Sequence, residues 1–77
     1  MQEMYSVYGS TLYGKKFDFG TRSFVYAVAF YLRHEYDLDV HIGGISEKSM
    51  MHIDALSSQQ KAAIISAEQR VFESRRR

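Results

Sequence analysis

The stretch RSFVYAVAFYLRHEY, residues Arg22 to Tyr36, decides how this chain is read, because it is the longest run with helical spacing and also the most apolar. At about 100° per residue, Phe24, Val25, Val28, Ala29, Leu32 and Tyr36 fall on one broad arc facing a core. Tyr26 and Phe30 fall on a second side, with Tyr31 and Ala27 near its other margin. Arg22, Ser23, Arg33, His34 and Glu35 are too few to make a solvent face. A helix apolar nearly all round needs cover on both sides. A small chain is expected to leave part of that cover to a partner.

Working outward, Met4 to Tyr8 is aromatic and β-branched and precedes Gly9-Ser10, the pattern of a strand followed by a turn. Phe17 and Phe19 alternate with Asp18, which places a returning strand over Lys15 to Phe19 and makes a hairpin of the pair. Gly20 breaks the chain, and Thr21 or Ser23 supplies a helix cap. On the other side of the helix, Leu38, Val40 and Ile42 alternate with Asp39 and His41, the two-residue period of a half-buried strand. Met51 and Ile53 against Met50, His52 and Asp54 repeat that period and predict a second hairpin across a loop from Gly43 to Lys48. Ser57 or Ser58 then opens a last helix striped by Ile64, Ile65, Val71 and Phe72, with Glu68 among them. The expected fold is a single α+β domain over residues 1–77 in the order ββαββα. An antiparallel sheet of about four strands packs on two helices, and Arg75 to Arg77 fray at the end.

The totals narrow the function. A domain of this size buries only ~60% of the surface its unfolded chain exposes, so a second subunit is a natural source of stability. The absence of cysteine removes disulfides and thiolate metal sites and suits a reducing, cytoplasmic setting. No stretch approaches the ~20 apolar residues of a membrane span, and the N-terminus lacks the order of a secretion signal. With 45% hydrophobic residues and no proline the chain is expected to fold. A net charge of +1 gives no overall attraction to nucleic acid or anionic membrane.

Several motifs invite chemistry and are better explained by structure. Gly9 to Lys16, GSTLYGKK, nearly spells a phosphate-cradling loop, but Lys16 replaces the hydroxyl residue and FDFG follows where a helix should open. Asp18-Phe19-Gly20 has none of the other kinase elements around it. Lys15, Phe17 and Phe19 partly match a base-stacking strand, although Asp18 between the rings would repel phosphate. His41 and His52, joined by Asp39 and Asp54 across the second hairpin, are the candidate metal ligands. The wet face of a ribbon explains them equally well, and no cofactor is expected. No serine, histidine and acid form a nucleophile arrangement, so no enzyme activity is expected.

What remains is association. Tyr26, Phe30 and Tyr31 are aromatic groups of the kind that dominate interface energetics. Glu68 inside an apolar stripe costs several kcal/mol if dry and unpaired, so it should reach water, Lys61, Arg75 or a cation on another chain. The expected function is a small non-enzymatic protein-interaction module, an inhibitor or adaptor of the phage or mobile-element kind, acting through Tyr26, Phe30, Tyr31 and Glu68 and forming a homodimer. That last comparison rests on size and composition alone. The alternative is nucleic-acid binding through Lys15, Lys16, Arg70 and Arg75, although cations at a helix C-terminus also complement the helix dipole.

Overall fold

The computed structural model describes the backbone of residues 4–75 and the side chains of residues 4–71. Strand β1, Tyr5–Ser10, is central, with β2, Lys16–Thr21, antiparallel on one side and β3, Asp39–Gly43, antiparallel on the other. Val7 lies opposite both Phe19 and Ile42, and Gly9 opposite both Phe17 and Val40. Directly opposed residues share a face, so Tyr5, Val7, Phe17, Phe19, Val40 and Ile42 all point inward. The opposite face carries Ser6, Tyr8, Ser10, Lys16, Asp18, Asp39 and His41.

Helix α1, Phe24–His34, packs on the inner face of all three strands, and α3, Ser58–Arg75, packs on α1 without comparable contact to the sheet. The apolar perimeter of α1 follows from this middle-layer position. Ala27, Val28, Ala29 and Leu32 are buried, and Val7, Val40, Ile42 and Ile53 complete the core. Ser23 caps α1 by accepting the Tyr26 N–H at 3.0 Å. At the head of α3, Ser57 and Gln60 form a reciprocal capping box: the Gln60 N–H reaches Ser57 Oγ at 3.1 Å and the Ser57 N–H reaches Gln60 Oε1 at 2.9 Å.

Four features differ from the sequence reading. The sheet has three strands, because the expected fourth is helix α2, Glu47–Asp54, giving the order ββαβαα. Ser46 caps it by accepting the Ser49 N–H at 3.1 Å, with Glu47 favourably placed against the helix dipole in the first turn. Met50 and Ile53 then turn to the core at a spacing of three, overriding the weaker alternation of Met51 and Ile53. His41 on β3 and His52 on α2 therefore do not face each other across a hairpin. Gly9-Ser10 does not end the first strand: both residues lie within β1, and a Cβ on Gly9 would sit 1.7 Å from the Asp39 carbonyl oxygen. The turn is Thr11 to Gly14, closed by the Gly14 N–H on the Thr11 carbonyl at 3.0 Å, with Gly14 at φ +82°. Finally, Tyr36 falls beyond α1 and is 87% exposed, and Phe24 and Val25 are half exposed instead of core.

Among the described residues no helix is long and apolar enough to cross a membrane. Phe72 and the side chains of Arg75, Arg76 and Arg77 lie outside the described side chains.

Candidate functional site

Cover on α1 is uneven along its length. In its second half, Phe30 packs against Phe17 and Phe19 with ring centroids 5.9 and 5.1 Å away and against His34 at 4.6 Å, and it is only partly exposed. Tyr31 is also half-buried, and its hydroxyl donates to Asp54 Oδ1 at 2.7 Å, tying α1 to α2. Burial first, and then this bond to an acid, push the Tyr31 phenol up to about 12. The first turn is different. Phe24, Val25 and Tyr26 are three successive residues that point around the helix, yet all keep 40–51% of their surface exposed. Tyr5 meets Phe24 edge-on at 5.5 Å and Phe19 meets Tyr26 at 6.0 Å, so the turn is held on an aromatic base.

Of the residues expected to form an interface, Tyr26 thus stands at the surface, while Phe30 and Tyr31 spend much of theirs on the chain's own core. Glu68 is half-buried on α3. One of its expected cations, Lys61, is engaged elsewhere, 3.5 Å from Glu35 Oε1, in a pair whose side chains are only 17% and 15% exposed. The other, Arg75, has no described side chain. Phe24 and Val25 were missed by sequence reasoning because helix angle alone puts them on the core arc; how much of each the neighbouring elements cover is not written in that angle.

The other surface is the open face of the sheet. Tyr8 stacks on His41 with centroids 5.4 Å apart, and His41 Nε2 lies 3.0 Å from Asp39 Oδ1. With Ser10, Lys16 and Asp18 they line a shallow depression. Phe17 and Phe19 face α1, so they offer no base-stacking platform. Gly9 to Lys16, the near-match to a phosphate loop, is the end of β1, the turn and the first residue of β2. Lys15 and Lys16 sit at the sheet and exposed Arg70 on α3, with α1 between the two layers. Among the described residues no three His, Asp or Glu side chains gather as a metal site. No family model, curated protein or solved structure matches this chain.

Proposed function

We propose that this protein is a small interaction module that acts by seating the first turn of α1 in an apolar groove of another protein, as an inhibitor or adaptor does. The observation that carries this reading is the run Phe24-Val25-Tyr26, each 40–51% exposed on an aromatic base formed by Tyr5 and Phe19. Rings already held by neighbours lose little freedom on docking, which leaves more of the contact energy as affinity. Phe30 supports that surface through Phe19, which packs on both Phe30 and Tyr26.

The test uses a partner purified by affinity capture from the native host and titrated against wild type and Phe24→Ser/Tyr26→Ser. The variant is expected to keep the circular dichroism of wild type and to bind at least tenfold more weakly. Equal binding by a folded variant would remove the proposal. Capture of nucleic acid in place of protein, with affinity falling steeply as salt is added, would favour the basic residues instead.

A further inference from the structure

The outer face of the sheet is self-complementary, and we infer that it joins two copies of this chain face to face about a two-fold axis parallel to β1. The register supplies the reasoning. Three rows cross the face: Gly20, Ser6 and Gly43; then Asp18, Tyr8 and His41; then Lys16, Ser10 and Asp39, in each case from β2 through β1 to β3. A two-fold axis running along β1 keeps each row at its own height and exchanges its two ends. Lys16 of one copy then lies over Asp39 of the other, and Asp18 over His41, each pairing occurring twice. The Tyr8 rings, each stacked on its own chain's His41, lie on opposite sides of the axis. The glycine row is filled from within the chain, by Met4 beside Gly20 and by the Tyr8 ring beside Gly43. A two-fold axis perpendicular to the strands sets Asp18 against Asp18 and His41 against His41 when centred on the Tyr8 row, and Lys16 against Asp18 when centred between that row and the next. The mixture of charge-reversed variants below separates the latter from the parallel axis, because only the parallel axis brings Lys16 to Asp39.

The groups are placed to serve this contact. Tyr8 is 44% exposed, and the side chains of His41 and Asp39 are 53% and 69% exposed. Asp39 uses Oδ1 toward His41, leaving Oδ2 to meet a lysine from the second copy. Tyr8 leans toward β3, stacked on His41 and with one ring carbon 3.6 Å from where a Gly43 Cβ would stand, so in the dimer its ring faces β2 of the second copy. Three strands at ~4.8 Å spacing and about five residues of length give a face of roughly 15 by 17 Å, well under the ~800 Å² per partner of a standard interface. The dimer is accordingly weak and reversible. It uses a surface separate from the first turn of α1, so the two can be engaged together.

Sedimentation velocity on the full chain, up to a concentration on the order of 1 mM, tests it with two charge reversals. Wild type is expected to show a concentration-dependent dimer, with amide shifts confined to Ser6, Tyr8, Ser10, Lys16, Asp18, Asp39 and His41. Lys16→Asp alone and Asp39→Lys alone each oppose like charges and are expected to weaken association at least tenfold with the fold retained by circular dichroism. Mixed in equal amounts, the two variants are expected to pair with each other, since every reversed charge then meets its opposite. Phe24→Ser/Tyr26→Ser is expected to dimerise as wild type does, which separates this contact from the docking surface on α1. A wild type that stays monomeric throughout, reversals that leave association unchanged, or a mixture that fails to pair would each overturn the inference.

Discussion

Gly9→Ala is the sharpest test of how this fold is held together. Gly9 lies in the central strand, where an added Cβ would stand 1.7 Å from the Asp39 carbonyl oxygen, 2.7 Å from its carbonyl carbon and 3.1 Å from the Val40 Cα. All three are backbone atoms, so no side-chain rotation relieves the clash. β3 must retreat by more than an ångström, which opens the β1–β3 ladder where Gly9 faces Val40 and Val7 faces Ile42. Val40 and Ile42 are 6% and 8% exposed. Returning much of each to water costs about 1.5–3 kcal/mol apiece, and the sum, about 3–6 kcal/mol, is comparable with the whole stability of a domain this small, at ~0.05–0.15 kcal/mol per residue. Urea unfolding followed by circular dichroism is therefore expected to show Gly9→Ala unfolded or close to its midpoint without denaturant. Gly14→Ala is the control: its φ of +82° makes alanine unfavourable, but nothing lies within 4 Å. It should cost only about 1 kcal/mol. If Gly9→Ala lost less than about 1 kcal/mol, the close approach of β1 and β3 would not be the constraint described here.

Three further outcomes follow from the packing. Phe30→Ala, which strips a ring from contact with Phe17, Phe19 and His34, is expected to cost about 3 kcal/mol in the same unfolding assay; Tyr26→Ala, exposed by 40%, should cost well under half of that. Lys61→Ala leaves Glu35 largely buried without its cation and is expected to destabilise by about 2 kcal/mol, whereas Glu35→Leu/Lys61→Leu recovers most of the loss, as denaturation midpoints would reveal. For Tyr31 the folded phenol titrates near 12 against an ordinary 10.0. The unfolded chain releases this proton first, so the contribution is complete below about pH 10 and is lost as pH rises toward 12. Tyrosinate absorbance should show a late step that Tyr31→Phe removes, and an unchanged titration would place that phenol in water.

Of the fold, β1, β2, α1, β3 and α3 were legible because each carries its own local signal: alternation in Phe17-Asp18-Phe19 and Val40-His41-Ile42, helical spacing from Phe24 to Leu32, and the cap at Ser57. Residues Glu47–Asp54 were not, since Met51 and Ile53 fit a period of two while Met50 and Ile53 fit a helical spacing of three. The cap at Ser46, with Met50 packed on the core and Met51 70% exposed, settles which period prevails. The candidate surfaces divide in the same way. Alternation alone put Asp39 and His41 on a polar face, but only strand pairing sets Tyr8 beside His41 and Lys16 level with Asp39. The sequence by itself determined that α1 is apolar almost all the way round. Only the tertiary structure decided where that surface goes, because cover depends on which neighbours each residue meets: Phe30 packs against Phe17, Phe19 and His34 and Tyr31 bonds to Asp54, whereas Phe24 and Tyr26 each meet one ring of the sheet and, with Val25, stay 40–51% exposed.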